Sequence, residues 1–516
     1  MSLLSLIILC VRIINLQNSD ISVVADIQSD SEIILAETRG YIYDRNYEPL
    51  VNNSSGKFAC LIDENSPNLY LNNLNNRQST LKNGIFYNIS DEFIYNNDDI
   101  LSYNVVKRYD EQQLCEHIIG YVDADGYGVN GIEKAFDRIL DSYKGQLVLK
   151  YKVDGNGMFI RGSGPELNDF RYNSQGGVVL TIDKNIQRIT EEALKESEID
   201  CGAVVVLKAD TAEILASVSV PCYDPDNIEA DINDVDSPFI NRVINSYPVG
   251  SVFKPIIAAA ALENDYKLSD DYFCRGYEKI GNNIFNCYNS KSHGTEYLND
   301  AILDSCNLFF INIGISCGAD IIIDIAKNFG FGQSVELCSQ IIDSGGYLPE
   351  AAEIKSDSQL ANLCFGQGEL LASPLQIAAA YCVFANGGYY NQPTLMRELV
   401  DEQINVYGYY QRDDSVRIID KEICDIINLC LYNNLLNGTG VNACPSYLSG
   451  AGKTATAQTG RYDTNGNELL CTWFAGFVPF ENPQYVIVVF NEKGSAASVD
   501  CAPVFRIIAD SLFGIQ

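Results

Sequence analysis

Apolar and polar positions change rhythm along this chain, and the change marks its organisation. Gly177-Val-Val-Leu-Thr-Ile182 is a short apolar run that predicts a strand. From Lys184 to Ser197 the apolar residues Ile186, Ile189, Ala193 and Leu194 recur at helical spacing, which predicts an amphipathic helix. Ala203-Val-Val-Val-Leu-Lys208 and Glu213-Ile-Leu-Ala-Ser-Val-Ser219 predict two strands. The turn residues Ala209-Asp-Thr-Ala212 between them make a hairpin the natural connection. Residues 251–390 read as mostly helical. Strands return at Trp473-Phe-Ala-Gly-Phe477 and Tyr485-Val-Ile-Val-Val-Phe490, followed by a helix near 501–513. Strands at both ends with helices between them predict an α+β domain whose sheet joins distant segments.

Upstream the texture differs. Residues 16–165 are polar and rich in Asn and Tyr, with short strand-like runs at Phe58-Ala-Cys-Leu-Ile62 and Gln146-Leu-Val-Leu-Lys150 and few helical ones. Gly155, Gly157, Gly162 and Gly164 read as a loose connector. Before this, nine of residues 3–14 are Leu, Ile or Val. That run is shorter than the roughly 20 apolar residues of a membrane span. It also lacks the charged start and cleavage site of a signal peptide. The expectation is the outer half of a membrane anchor that begins outside this sequence. The predicted division is 1–15, a partial anchor; 16–165, an elongated α+β N-terminal domain; and 166–516, a main domain.

Charge narrows the function. The 516 residues carry 35 basic and 68 acidic side chains, a net −33. Nucleic acid, which needs a basic surface, is excluded as a partner. The 17 cysteines are scattered, with no C-x-x-C and no zinc-type pairing of pairs. Reduced thiols acting as small hydrophobes are expected. Two decoys fail on context. Gly126-Tyr-Gly128-Val-Asn-Gly131 matches a dinucleotide fingerprint but lacks a βαβ rhythm. Gly452-Lys453-Thr454 resembles the end of a P-loop, but Tyr447 stands where its first glycine is required. The two histidines, His117 and His293, read as surface or core polar residues, and no nucleophile elbow accompanies them.

Three short patterns carry chemistry together. Ser251-Val-Phe-Lys254 opens an alanine-rich helical run after Pro248-Val-Gly250. The lysine lies one turn from the serine on one face, where burial would let it act as base. Ser305-Cys306-Asn307 supplies a second hydroxyl and a carboxamide. Gly452-Lys453-Thr454-Ala455-Thr456-Ala457 supplies an ammonium, two hydroxyls and strand-edge N–H groups. Together these form an acyl-transfer set.

In this order the patterns resemble those of class B penicillin-binding proteins, the monofunctional D,D-transpeptidases of bacterial cell walls. Further resemblances cover nearly the whole chain. Arg39-Gly-Tyr-Ile-Tyr-Asp-Arg-Asn46 is similar to the family's N-terminal box, and Ile118-Ile-Gly-Tyr-Val122 with Gly131-Ile-Glu-Lys-Ala-Phe-Asp137 to its next block. Leu180 to Gln187, Phe365 to Ala378, Ala385-Asn-Gly-Gly388 and Trp473 to Phe477 resemble elements of its transpeptidase domain. The resemblance implies a mainly antiparallel sheet flanked by helices plus an all-helical subregion. It implies that Ser251 attacks the penultimate D-Ala carbonyl of a stem peptide, that Lys254 takes its proton and that Ser305 relays one to the leaving nitrogen. Asn307 would hold the substrate amide, and Lys453 and Thr454 the terminal carboxylate. The N–H groups of Ser251 and Thr456 would form the oxyanion hole, with Thr456 also among the substrate-binding residues.

Implied partners are peptidoglycan stem peptides with their D-Ala-D-Ala ends, β-lactams, the membrane, and a glycosyltransferase with other cell-wall complex proteins. The implied location is a single N-terminal anchor with the catalytic domain outside the cytoplasm. No metal or organic cofactor is implied. A β-lactam sensor or β-lactamase on the same fold, or a catalytically weak scaffold of a division or sporulation complex, are the alternatives. One departure stands out: the family's third motif is usually Lys-Thr-Gly, and here Ala455 takes the place of the glycine. Its methyl could narrow the cleft or tilt the strand.

Overall fold

The computed structural model describes residues 3–17, 30–61, 85–87, 100–152, 165–411, 413–462 and 466–514. Its centre is a five-stranded sheet made of β1 (Gly202–Lys208), β2 (Ile214–Val220), β3 (Ala451–Tyr462), β4 (Glu468–Val478) and β5 (Tyr485–Gly494). The order across the sheet is β2-β1-β5-β4-β3, and every pairing is antiparallel. The predicted hairpin is β1–β2, with Ala212 in the left-handed region at φ 55° in its turn. The chain's last strand, β5, enters between β1 and β4, so the sheet closes only when both ends of the domain are present.

Both faces of this sheet are buried, which explains why its strands read as near-continuous apolar runs rather than alternating ones. Val204, Val206, Phe474, Ile487 and Val489 pack against Ala193 and Leu194 of α1 (Lys184–Lys195) and Phe505 and Ile508 of α6 (Ala497–Leu512). The alternate residues Ala203, Val205, Leu207, Trp473, Ala475, Val488 and Phe490 face the opposite way, into the main core. That core holds α2 (Lys254–Glu263), α3 (Asn307–Cys317), α4 (Pro374–Ala385) and α5 (Lys421–Asn437). Asp183 caps α1 by accepting from the N–H groups of Asn185 and Ile186. Ser373 and Gln376 form a capping box at the start of α4, with Pro374 in its first turn. From Pro374 to Phe384 this helix is buried on every side, as expected of an apolar helix with no polar face.

The stretch 251–390 is less uniformly helical than its composition predicts. Residues 272–296 form two small hairpins, Tyr272–Cys274 with Gly294–Glu296 and Tyr277–Ile280 with Asn283–Asn286. Gly276, Gly281 and Gly294, all at positive φ, make the bends. These strands are three or four residues long, too short for a period-2 signal to stand out.

Upstream, Asp30–Thr38, Gly145–Lys152 and Glu166–Phe170 form one antiparallel sheet, and Ser54–Leu61 pairs with both Ile85–Tyr87 and Ile100–Lys107. Tyr41–Tyr43 runs parallel to Gly177–Leu180, which pairs with Met396–Val400. The arginine of the N-terminal box has a structural task. Arg39 bonds the carboxylates of Glu133 and Asp137 and the Gly126 carbonyl, and Arg108 also pairs with the fully buried Glu133. The run 126–131 is thus a turn clasped by Arg39, with Gly128 so close to Glu133 that a Cβ would lie 2.1 Å from its carbonyl oxygen. The connector expected at Gly155–Gly164 lies outside the described residues, as does Ile62. The helix Leu3–Gln17 exposes Leu6, Ile7, Ile8, Leu9, Val11, Ile13 and Ile14. Among the described residues no single helix is long and apolar enough to cross a membrane.

Candidate active site

Ser251 sits in a 3-10 turn, Gly250–Phe253, that runs without a break into α2. Four contacts hold this turn. Gly250 N–H donates to the Gly366 carbonyl at 2.7 Å. Trp473 Nε1 donates to the Pro248 carbonyl at 2.9 Å, and Tyr381 OH to that of Val252 at 3.1 Å. Tyr247 and Pro248 pair with Ala372 and Leu371. Gly250 has φ +67° and Gly366 φ +76°; a Cβ on Gly366 would come within 2.0 Å of the Gly250 carbonyl. Both glycines are therefore demanded by the turn that presents the serine.

Lys254, one turn on, is fully buried. Its Nζ donates to the Ser305 carbonyl at 2.7 Å, to Ser305 Oγ at 3.1 Å and to Asn307 Oδ1 at 2.7 Å. The Phe310 ring lies 5.6 Å away. Burial lowers its pKa to about 7, against a small opposing pull from Cys306 and Cys287. A lysine near pH 7 exchanges protons readily, as a base must. No hydrogen bond joins its Nζ to Ser251 Oγ among the described residues. The amine is held by the Ser305–Asn307 turn, and Ser251 is half-buried. Ser305 is itself at φ +53°, a left-handed conformation that a non-glycine residue keeps only when its surroundings impose it.

Asn307 begins α3, and its amide is already engaged at both ends, with Nδ2 donating to the Asn286 carbonyl at 3.0 Å. It thus positions Lys254. Lys453 lies on β3, fully buried, with Nζ 3.3 Å from Thr439 Oγ1 and 3.2 Å from the Thr454 carbonyl. Burial, and then the charge of Lys254, push its pKa well below the ordinary lysine value. No carboxylate is among the described partners of either lysine. With no counter-ion among those partners, burial favours the uncharged form of both amines.

Thr439 was not singled out by the sequence reading. Its hydroxyl accepts from Lys453 Nζ and from Thr454 Oγ1 at 2.8 Å, and donates to Asn434 Oδ1 at 3.2 Å. Buried Asn434, near the end of α5, reaches the Gly452 carbonyl with Nδ2 at 2.8 Å. The only sequence signal was Asn437-Gly438-Thr439-Gly440, a hydroxyl between glycines after a helix.

β3 is an edge strand, so half of its N–H groups point away from β4. Thr454 is nearly buried and Thr456 exposed. Ala455 points the other way. A Cβ built on Gly250 would lie 3.3 Å from the Ala455 methyl and 3.2 Å from that of Ala457. The extra methyl therefore packs against the serine turn, opposite Gly250, on the face of β3 that also carries Lys453 and Ala457.

The histidines separate. His117 is half-buried, its Nε2 2.6 Å from the Pro238 carbonyl, and desolvation lowers its pKa to about 4. His293 behaves differently from the core or surface residue expected. It converges with Cys274, Cys287 and Cys306 into one compact group of potential metal ligands. Spacings of 12, 5 and 12 residues hid this grouping from any pairing rule.

Residues 202–510 match the family described as penicillin binding protein transpeptidase domain. The chain is 29% identical over 427 residues to stage V sporulation protein D of Bacillus subtilis, covering 79% of this chain and 64% of that protein's length. It is 31% identical over 450 residues to a peptidoglycan D,D-transpeptidase FtsI homolog of Mesostigma viride, covering 79% of this chain and 72% of the relative. A solved structure titled as the coordination of polymerization and crosslinking by a peptidoglycan synthase complex shares the fold, with a TM-score of 0.72 at 22% identity over 99% of this chain and 97% of that one. With a matching transpeptidase model over more than half its length, and the Ser251–Lys254, Ser305-Cys-Asn307 and Lys453-Thr454 patterns brought together by the fold, the chain belongs to the class B penicillin-binding protein transpeptidases.

Proposed function

We propose that this chain is a serine D,D-transpeptidase that cross-links peptidoglycan stem peptides through an acyl-enzyme on Ser251. The observation that carries the reading is Lys254: fully buried, near neutrality in pKa, one turn from Ser251 and bonded to Ser305 and Asn307. Ser251 Oγ attacks the carbonyl carbon of the penultimate D-Ala, and its proton passes to neutral Lys254. The tetrahedral oxyanion is held by the N–H groups of Ser251 and Thr456; one such donor contributes about 3 kcal/mol. The C–N bond then breaks, and Ser305 relays the proton from Lys254 to the leaving D-Ala nitrogen. An amine from a neighbouring stem peptide resolves the ester by the reverse route, forming the cross-link and freeing Ser251. Lys453, Thr454 and Thr439 receive the terminal carboxylate.

A β-lactam carries the same carbonyl and carboxylate and would trap Ser251. The described partners of Lys254 and Lys453 are hydroxyl, carbonyl and amide groups. With no carboxylate to activate water among them, a long-lived acyl-enzyme is favoured over β-lactamase turnover.

In this reading residues 16–165 are an interaction domain and 166–516 the catalytic one. The apolar helix Leu3–Gln17 tethers the protein to the membrane with its catalytic domain outside the cytoplasm, beside a glycan-polymerising partner. Support for that partner is the synthase-complex structure, whose fold this chain shares. The test is labelling with a fluorescent penicillin followed by mass mapping. A single adduct on Ser251, absent in Ser251→Ala, is expected; an unlabelled or elsewhere-labelled protein would sink the proposal.

A further inference from the structure

Beside the acylation site lies a group of side chains that the transpeptidase reaction does not use. Cys274 ends the strand Tyr272–Cys274, Cys287 follows the strand Asn283–Asn286, His293 lies just before the strand Gly294–Glu296, and Cys306 is the middle residue of Ser305-Cys306-Asn307. Cys274 Sγ is 3.7 Å from Cys287 Sγ and 3.4 Å from His293 Nδ1, and Cys287 Sγ is 3.8 Å from Cys306 Sγ. All four ligand atoms lie within 4.8 Å of one another; the three cysteines are buried and the histidine partly so.

The distances can be compared with two chemistries. A disulfide brings its sulfurs to about 2.05 Å, far closer than any pair here. A tetrahedral zinc ion with Zn–S near 2.3 Å and Zn–N near 2.05 Å sets sulfurs about 3.8 Å apart and sulfur and nitrogen about 3.6 Å apart. The observed spacings follow the second pattern. Three thiolates and an imidazole are also a donor set that selects zinc, and four protein ligands leave no open position for catalysis. We propose that Cys274, Cys287, His293 and Cys306 form a structural zinc site that pins the 272–296 hairpins to the Ser305–Asn307 turn.

The need for such a pin is visible in the fold. Two-stranded hairpins of three or four residues are marginal by themselves. The neighbouring backbone is already arranged around the group. Ser292 Oγ donates to the Cys274 carbonyl, Cys287 N–H to the Gly276 carbonyl, and Asn307 Nδ2 to the Asn286 carbonyl. Cys306 is covalently flanked by the two residues that hold Lys254 Nζ. Fixing its sulfur therefore fixes the left-handed Ser305 and the Asn307 amide. This second consequence, on acylation, rests on the function proposed above; the zinc site itself does not.

The experiment uses the full chain, purified anaerobically with a thiol reductant after growth with zinc. Elemental analysis is expected to find about one zinc per chain. Cys274→Ser and His293→Ala should lose it, while His293→Cys, which offers a fourth thiolate, should keep it. Cobalt(II) exchanged into the wild-type protein should give the spectrum of a tetrahedral thiolate site, which decides the matter even if a variant fails to fold. Removing zinc with a chelator should slow penicillin acylation roughly tenfold or more, as expected when a positioning group is released, and zinc should restore it. A metal-free wild-type protein, a stoichiometric metal other than zinc, or a mapped disulfide among these cysteines would overturn the site. A zinc-loaded protein that never labels with penicillin would leave the site standing and overturn only the transpeptidase reading.

Discussion

The alanine in the third motif offers a test in which the geometry sets the magnitude. Ala455 is nearly buried, and its methyl faces Gly250, the residue before the nucleophile. Gly250 cannot retreat: its N–H is bonded to Gly366 O, and Gly366 closes on its carbonyl from the other side. Ala455→Val adds two methyls at this contact. Overpacking of this kind costs about 1–3 kcal/mol, and the strain falls on the turn that aims Ser251. A misplacement near 1 Å costs about 100-fold in rate, so the second-order rate of penicillin acylation should fall by roughly that factor. Ala455→Gly removes one methyl and frees the strand backbone, at about 1–2 kcal/mol of stability, and should change acylation by less than about threefold.

Gly250→Ala meets two methyls at 3.2 and 3.3 Å and a left-handed backbone costing about 1–2 kcal/mol. Combining it with Ala455→Gly should recover only about 0.5–1 kcal/mol, because Ala457 and the positive φ remain. Acylation is followed by rapid-quench labelling and stability by urea unfolding of each variant. An Ala455→Val protein that acylates within threefold of wild type and unfolds at the same urea concentration would show that this methyl does not face the serine turn.

Three further outcomes are expected. In the proposed mechanism Lys254 accepts the serine proton only when neutral; with a pKa of about 7, acylation should rise about tenfold per pH unit below 7 and level off above it. A rate that is flat between pH 5.5 and 8.5, or a Lys254→Arg protein that still acylates, would remove the lysine from the role of base. Thr439→Val leaves Lys453 and Thr454 without their shared acceptor, a loss of about 1–3 kcal/mol for a buried polar group; penicillin affinity, measured by competition labelling, should drop about tenfold or more. Glu133→Gln removes the charge shared by Arg39 and Arg108. Since breaking a buried pair costs about 3–5 kcal/mol, the variant should melt earlier while Ser251, which makes no described contact with Glu133, still labels.

The hairpin β1–β2, the helices α1 and α6 and the strands β4 and β5 were legible in the sequence because each is long enough for its period to emerge. So were the serine, Ser305-Cys-Asn307 and lysine motifs, since their chemistry lies in local spacings. The short hairpins at 272–296 were not legible, for three or four residues carry too little pattern to separate a strand from a loop. Thr439 was hidden for another reason: a hydroxyl becomes functional only when Lys453 and Thr454, on a different element, are folded against it.

The amino-acid order by itself marked the longer strands and helices, the three motifs in their order, and that Ser251 and Lys254 lie one helical turn apart. Local periodicity and spacing suffice for that, because helix and strand geometry repeat over a few residues. Tertiary structure alone decided the rest. It buried Lys254 far enough to bring its pKa near neutrality, and pairing along β3 set the Ala455 methyl against Gly250. It also drew Cys274, Cys287, His293 and Cys306 to within 4.8 Å. Desolvation, side-chain direction and convergence depend on what the rest of the chain packs around a residue, and no local pattern records them.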